Sequence, residues 1–305
     1  AIGGDGGAGG AGGAGVLLLN GGTVDNIAIV FGGNGGFGGS GSASVFGGNG
    51  GAGGAGGAGV ALLKGGVVTN TGLISGGHGV LAGAGGLGSN TSGSAGAAGA
   101  GAAGVIGSNL SITNSGLIVG GLGSDGVTRA NAITFTGGVN TLTLQTGSVI
   151  TGNVVAFSSA DTLALGGNFN VNTFDVSQIG ASAQYRGFGV FQKTGASTWT
   201  LNNSTTALTP WTINGGTLQV FSDAALGDVA GGLTFNGGTL EIGGNAAVAR
   251  PVTLNGGGGT FEIDGIGNIG GLFGTISGPG SLTKIGTGTL ALGASNSYAG
   301  GTTLS

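Results

Sequence analysis

The sequence has no cysteine and very few charged residues, and each absence excludes a class of function. Without cysteine the chain forms no disulfide, no thiolate zinc site and no cysteine nucleophile. Charged residues make up 5% of the chain, against roughly 25% in an average domain. Because 6 basic residues are scattered over 305 positions, they cannot line a phosphate backbone, and we expect no nucleic-acid partner.

Long apolar runs, proline and helical patterns are also scarce. Apolar runs such as Val16 to Leu19 are far shorter than the ~20 residues of a membrane-spanning helix. Helix is disfavoured because 83 residues are glycine, which costs about 1 kcal/mol per helical position relative to alanine. With only 3 prolines the glycine does not follow a collagen pattern. Backbone hydrogen bonds must therefore contribute much of what holds this chain in an ordered structure.

A repeat of 44 residues organises the first part of the chain. The segment AGGAGGAGV occurs at 8–16 and again, unchanged, at 52–60. A second motif, rich in β-branched residues, occurs three times at the same spacing and places three asparagines at equivalent positions: Asn26, Asn70 and Asn114. Short apolar runs bounded by Gly or Asn predict strands. We therefore predict three Gly-rich β-helix repeats in residues 1–124.

The glycine-rich inserts between these strands have a local period of three, in triplets such as Gly-Gly-Ala and Gly-Gly-Asn. Three residues per turn is the geometry of polyproline II. This period predicts ordered, polyglycine-II-like arms packed against the strands, while flexible linkers remain the alternative. Phe37 and Phe46 lie within the inserts and are predicted to anchor them to the rest of the fold.

Residues 125–305 contain crowded strand–turn–strand units at 211–220, 233–242, 252–263 and 281–292. Aligning these units places four apolar residues at one interior position: Leu218, Leu240, Phe261 and Leu290. Three asparagines fall at the strand–turn junction, where residues that tolerate positive φ are favoured: Asn214, Asn236 and Asn255. The units predict regular rungs that continue the same solenoid, an all-β, right-handed parallel β-helix.

The stretch 281–305 carries a specific motif. Its pattern, Leu-x-Lys-x-Gly-x-Gly-x-Leu-x-Leu followed by Asn-x-Tyr-x-Gly-Gly-Thr, starts at Leu282 and ends at Thr302. It resembles the autotransporter-associated β-strand repeat of bacterial passenger domains. The resemblance implies a type V secreted protein on the surface of a Gram-negative bacterium, with a β-helical passenger outside the cell. It also implies a C-terminal translocator barrel outside this fragment of a longer solenoid.

Few residues suggest chemistry, and we expect neither an enzyme nor a cofactor. The lone histidine, His78, lies in a glycine-rich insert with no triad context. Glu241 and Glu262 should stack on neighbouring rungs as surface carboxylates. Asp125 lies in GGLGSDGVT, a single copy of a calcium-binding nonapeptide that normally occurs in tandem, and is only a weak metal candidate.

These observations favour a structural or adhesive passenger stalk that acts through surface contact or self-association, with itself or a host-cell surface ligand. One alternative is a carbohydrate-active β-helix enzyme. It would need a cleft combining carboxylates with a cation, drawn from these residues: Asp223, Asp228, Glu241, Glu262, Arg250 and Lys284. A second alternative is an ice- or crystal-binding solenoid, suggested by outward threonine pairs such as Thr198 and Thr200. That alternative needs threonines aligned over many rungs, and the pairs show no common register in the sequence.

Overall fold

The computed structural model describes all residues, 1–305, and its secondary structure is almost entirely β. Two single-turn 3-10 helices, Val176–Gln178 and Asp223–Leu226, are the exceptions. No helix is long and apolar enough to cross a membrane. The first fifteen strands are β1 (Val16–Leu18), β2 (Thr23–Asn26), β3 (Ile29–Phe31), β4 (Ser44–Phe46), β5 (Val60–Leu62), β6 (Gly66–Asn70), β7 (Leu73–Ser75), β8 (Gly88–Thr91), β9 (Val105–Ser108), β10 (Leu110–Asn114), β11 (Leu117–Val119), β12 (Ile133–Gly137), β13 (Thr141–Leu144), β14 (Val149–Thr151) and β15 (Val154–Val155). The others are β16 (Thr162–Leu165), β17 (Val171–Asp175), β18 (Tyr185–Arg186), β19 (Val190–Lys193), β20 (Thr198–Asn202), β21 (Trp211–Ile213), β22 (Thr217–Val220), β23 (Leu233–Phe235), β24 (Thr239–Ile242), β25 (Ala247–Val248), β26 (Val252–Leu254), β27 (Gly259–Glu262), β28 (Ile269–Leu272), β29 (Ile276–Ser277), β30 (Leu282–Ile285), β31 (Thr289–Leu292) and β32 (Thr302–Leu304).

Residues 1–140 and 147–157 form one compact unit, the first unit. Its strands pair in parallel: row I is β1-β5-β9-β12-β15, row II is β2-β6-β10 and row III is β3-β7-β11-β14, and β4 pairs with β8 in a separate two-stranded sheet. In row II, Val67 pairs with Thr23 on one side and with Ser111 on the other, so partners are 44 residues apart. The sequence period thus equals the separation between paired strands.

Residues 141–146 and 158–305 form the second unit. Its strands also pair in parallel: row IV is β13-β16-β19-β21-β23-β26-β29, row V is β17-β20-β22-β24-β27-β30-β32 and row VI is β25-β28-β31. Consecutive strands of a row come from consecutive sequence units, because each parallel pairing requires the chain to travel round before it returns. Parallel strands in stacked rows confirm the predicted all-β, solenoid-like class.

The core follows the two-residue period of the strands. In β22, Leu218 and Val220 are fully buried, whereas Thr217 and Gln219, which alternate with them, are partly exposed. Because paired strands keep the same register, apolar side chains stack on their equivalents, as Phe235 does on Phe261 with ring centroids 4.9 Å apart. Each fully buried side chain of this size stabilises the fold by about 1.5–3 kcal/mol.

The glycine-rich inserts of the first unit belong to no long strand, yet their backbones are hydrogen-bonded in a pattern that repeats every three residues. We call these segments the glycine arms: 3–15, 32–44, 47–59, 76–88 and 91–104. The first glycine of a triplet donates to the arm one repeat later, as Gly9 N does to Ala52 O at 2.8 Å. In the other arms the second glycine donates to an arm running the opposite way, as Gly54 N does to Gly36 O at 2.8 Å, whereas the second glycines of the 3–15 arm accept, as Gly10 O does from Gly36 N.

Glycine is required where the arms approach one another this closely. A Cβ built on Gly9 would lie 1.9 Å from Gly36 O, and one built on Gly54 would lie 2.1 Å from Gly10 O. No side chain fits at such distances, so these positions exclude even alanine. The third residue of each triplet carries the side chain, which explains the Gly-Gly-X pattern. Phe37 occupies such a position and is 74% exposed, so the prediction that it anchors its arm is wrong.

Candidate functional site

A buried column of asparagines joins the three repeats of the first unit. The Asn26 Nδ2 donates to Asn70 Oδ1 at 2.7 Å, and the Asn70 Nδ2 donates to Asn114 Oδ1 at 2.7 Å. Asn70 and Asn114 are fully buried. Each amide also bonds a backbone carbonyl at the following bend, so the side chains are satisfied without water. These contacts fix the register between repeats.

The three asparagines of the second unit form a second column of hydrogen bonds. The Asn236 Nδ2 donates to Asn214 Oδ1 at 2.9 Å, and the Asn255 Nδ2 donates to Asn236 Oδ1 at 2.6 Å. Unlike the first column this one is exposed, so water competes for each amide. Its contribution to stability is therefore smaller than that of the buried column.

The interior position predicted for Leu218, Leu240 and Phe261 forms one paired column in row V, and all three side chains are buried. Leu290 does not belong to it. Lys284 lies opposite Phe261, and Leu290 pairs with Gly270 in row VI. The alignment was wrong because 281–292 contains strands of rows V and VI, whereas the three earlier units contain strands of rows IV and V.

The outward carboxylates of row V lie side by side, and one of them accepts a side-chain hydrogen bond. Glu241 pairs with Glu262 across β24 and β27, and its Oε1 accepts a hydrogen bond from Gln219 Nε2 at 2.5 Å. Partial burial, and next the charges of Glu241 and Asp264, raise the pKa of Glu262. The arrangement is a short ladder of polar side chains on an open strand face.

The two cations required for an enzymatic cleft have structural partners instead. Arg250 is 1% exposed, pairs with Asp223 through Nε at 2.8 Å and donates to five backbone carbonyls between residues 223 and 231. The Lys284 ammonium donates to Ile285 O and Gly286 O. Both side chains therefore hold backbone turns rather than facing Glu241 or Glu262.

Asp125 stabilises its own turn. Its Oδ1 accepts hydrogen bonds from the amides of Val127 at 3.0 Å and Thr128 at 2.9 Å, and its Oδ2 accepts from the Thr128 hydroxyl at 2.5 Å. The Thr128 hydroxyl is the main cause of a lowered pKa of Asp125. No group of three or more His, Asp or Glu side chains in the chain could hold a metal ion.

A buried lysine was missed by the sequence analysis. Lys193 in β19 is fully buried, and its ammonium donates to Thr194 O at 2.8 Å, Gly215 O at 3.1 Å and Gly195 O at 3.4 Å. Burial lowers the pKa of Lys193 to about 8. Lys284 makes the same contacts to the two residues that follow it. The spacing Lys-x-Gly, common to 193–195 and 284–286, was the signal that could have revealed it.

Row V also aligns threonines that the sequence analysis could not place in one register. Strand pairing puts six of them in a single outward column: Thr198, Thr217, Thr239, Thr260, Thr283 and Thr303. All six are at least partly exposed. Neighbouring hydroxyls are separated by the inter-strand spacing of about 4.8 Å.

The lone histidine takes part in the contacts between glycine arms. Its Nδ1 accepts a hydrogen bond from Leu122 N at 2.9 Å, and its own amide donates to Asn34 Oδ1 at 2.8 Å. A shallow apolar depression beside it is lined by Phe37, Leu81 and Leu122. His78 has no carboxylate or hydroxyl partner of the kind a catalytic triad requires.

Comparison with known proteins identifies the repeats. A family profile described as passenger-associated-transport-repeat matches residues 191–220 and 282–305, the two segments that contain the buried lysines. The adhesin BmaC autotransporter of Brucella suis biovar 1 (strain 1330) is 32% identical over 179 residues. That alignment covers 53% of this chain and 5% of the relative, so the chain spans a small part of it. No solved structure matches the chain.

The repeat match confirms the resemblance predicted from 281–305 and extends it to a second segment. The repeat and the adhesin relative support a secreted location at the bacterial cell surface, reached through the outer membrane. The repeat match and the adhesin relative together support an autotransporter passenger domain with passenger-associated transport repeats.

Proposed function

We propose that the chain is a structural and adhesive stalk, a closed right-handed β-helix whose faces make broad, uncharged contacts with other surfaces or with further copies. The observation that carries this proposal is the unchanged register of paired strands from repeat to repeat. Such stacking produces regular faces, and its stability is a sum of nearest-neighbour contacts. A separate translocator domain outside residues 1–305 completes the proposal.

The distribution of charge supports adhesion by uncharged contact. Of the six basic residues, Lys193, Arg250 and Lys284 are buried and bind backbone carbonyls. Apolar side chains are exposed on the glycine arms, including Phe37 at 74%, Leu81 at 60% and Leu87 at 78%. Contacts made by such residues depend on apolar area rather than charge.

The glycine arms contribute rigidity. Their period of three and their lateral hydrogen bonds favour a polyglycine-II-like lattice over flexible linkers. A rigid arm presents its third-position side chains at fixed spacing, and little conformational entropy is lost when it meets a surface.

Adsorption of the purified chain tests the proposal. We expect binding to apolar and hydroxylated surfaces, measured with a quartz microbalance, to persist when salt is raised from about 0.1 M to about 1 M, because screening weakens only charged contacts. Phe37→Ser should reduce binding to the apolar surface, whereas Phe169→Ser, which removes an equally exposed ring in the second unit, should reduce it less. Sedimentation measures self-association in parallel. A chain that neither adsorbs nor self-associates would contradict the proposal.

The threonine column favours a second candidate, binding to ice or another crystalline surface. Thr239→Lys places a charge in the middle of the six-residue column, while Thr234→Lys makes the same change in row IV of the same unit. If the column binds ice, the wild type and Thr234→Lys inhibit ice recrystallisation and Thr239→Lys does not. Equal activity of the two variants, or no activity in the wild type, would exclude this candidate.

A further inference from the structure

The third residue of each Gly-Gly-X triplet has an amide that the backbone lattice of the glycine arms leaves free. At four places a polar side chain from the arm one repeat earlier accepts that amide. The four pairs are Asp5 Oδ1 with Asn49 N at 2.6 Å, Asn34 Oδ1 with His78 N at 2.8 Å, Asn49 Oδ1 with Ser94 N at 3.0 Å and His78 Nδ1 with Leu122 N at 2.9 Å. Side chains at this position therefore pin successive repeats together.

Histidine differs from the other pinning residues because its acceptor can be protonated near neutral pH. The Nδ1 accepts from Leu122 N only when it carries no proton, so the bond requires the neutral Nε2–H tautomer. A proton on Nδ1 turns the acceptor into a donor that faces the N–H of Leu122. Asn34 and Asn49 make the equivalent bond with an amide oxygen that does not titrate.

The segment held by His78 is short. The Leu122 carbonyl accepts from Gly79 N at 2.9 Å, and Gly123 N donates to Thr128 O at 2.7 Å. Leu122 also bridges to Arg129, so the turn around Asp125 begins at the pinned residue. Loss of the His78 bond removes one of the two contacts that join Leu122 to the 76–88 arm.

We propose that His78 is a proton-operated pin, whose Nδ1 holds the amide of Leu122 against the 76–88 arm at neutral pH and loses that hydrogen bond on acidification. This inference goes beyond the proposed adhesive function, since it concerns how one part of the first unit opens. It requires only the acceptor role of the Nδ1 atom and the equivalence of His78 with asparagines in other repeats.

Few other groups near this site can titrate. The neighbouring residues of the 32–44 arm are uncharged, and the 91–104 arm contains no ionisable side chain. The 119–130 segment contributes Asp125 and Arg129. Hydrogen bonds from Thr128 lower the pKa of Asp125, which therefore stays ionised between pH 5 and 8. Arg129 donates to Gly120 O at 2.6 Å.

Nuclear magnetic resonance on the 305-residue chain tests the pin, and the assignment is simple because the sequence has 1 histidine. At pH 7.5 the imidazole ¹⁵N shifts should show an unprotonated Nδ1. On acidification to pH 5 the amide protection factor of Leu122, corrected for intrinsic exchange, should fall about five-fold. The matched control is His78→Asn, which supplies the acceptor found at Asn34 and should keep the same protection at both pH values.

Two results would overturn the proposal. An Nδ1–H tautomer at pH 7.5 would show that the nitrogen is not an acceptor. Equal loss of Leu122 protection in the wild type and in His78→Asn would assign the opening to another group. Neither result bears on adhesion, which the adsorption assay measures separately.

Discussion

Replacing Gly54 with alanine places a methyl group inside the contact between glycine arms. The new Cβ would lie 2.1 Å from Gly10 O and 2.7 Å from Gly36 N. Both partners are backbone atoms that cannot rotate away. Gly10 is the equivalent residue of an identical nine-residue segment, and a Cβ there meets nothing within 4 Å. Neither glycine has positive φ, so the two substitutions differ in packing alone.

The expected cost of Gly54→Ala follows from the contacts that must separate. The Gly54 N bond to Gly36 O and the Gly36 N bond to Gly10 O, at 2.8 and 2.7 Å, cannot both survive a shift of more than 1 Å. Two lost hydrogen bonds at about 1 kcal/mol each and an overpacking cost of about 1–3 kcal/mol give roughly 3–5 kcal/mol. Gly10→Ala should be neutral or stabilise by up to about 1 kcal/mol, because alanine restricts the unfolded chain.

Thermal and denaturant unfolding, followed by circular dichroism, measures both variants. Tryptophan fluorescence provides an internal reference, because Trp199 and Trp211 both lie in the second unit and should report little change. Equal stability of Gly54→Ala and Gly10→Ala would refute the reasoning. It would mean that the arms are not packed against one another in solution.

Three further predictions concern buried and coupled side chains. Asn70→Ala should cost about 2–4 kcal/mol in denaturant unfolding, because it removes two buried side-chain hydrogen bonds and leaves the buried Asn114 Oδ1 without its donor. Asn236→Ala in the exposed column should cost less than about 1 kcal/mol, and equal costs would contradict the difference in burial. Because the pKa of Lys193 is lowered in the folded chain, the unfolded chain binds more protons than the folded chain between about pH 8 and 10.5. The free energy of unfolding should therefore rise by roughly 1–2 kcal/mol over that range, and this rise should be absent in Lys193→Met. The raised pKa of Glu262, caused first by partial burial and then by the charges of Glu241 and Asp264, contributes stability at low pH that is lost as the carboxyl ionises. Glu262→Gln should therefore be more stable than the wild type by about 0.5 kcal/mol at pH 7 and equal to it below about pH 4, and no difference at pH 7 would argue against both the burial cost and the repulsion.

The class of fold was predictable because the residues that recur in the sequence are the ones that contact one another between repeats. Asn26, Asn70 and Asn114 recur every 44 residues, and the structure stacks them directly. The interior position of Leu218 and Leu240 was likewise visible, because apolar residues alternate with polar ones and side chains alternate across a strand. The domain boundary at residue 124 remains a prediction.

Register between distant units was harder to predict. Leu290 was misplaced because strand–turn–strand units look alike whichever two rows they occupy, and an additional row, β25-β28-β31, shifts the last unit by one strand. The threonine column was missed for a related reason. Its members are separated by intervals that vary between 19 and 23 residues, so only strand pairing reveals the common position of Thr198 and Thr303.

Buried charge was not predictable from composition. A lysine such as Lys193 is rarely buried without a carboxylate, and its partners are backbone carbonyls that no sequence pattern displays directly. The His78 contact is similar, because the sequence places the imidazole in a glycine-rich insert but does not say which amide it meets.

The central claim is that backbone hydrogen bonds between repeats, rather than side-chain packing, order the glycine arms. Residue-resolved amide hydrogen exchange over 3–104 tests it most directly. The account predicts protection with a period of three. First and second glycines such as Gly53 and Gly54 exchange slowly, whereas in the 3–15 arm only first glycines such as Gly9 do. Third residues such as Ala55 exchange fast unless a side chain accepts their amide, as at Asn49. Uniformly fast exchange through these segments would show that the arms are flexible linkers and would contradict the account.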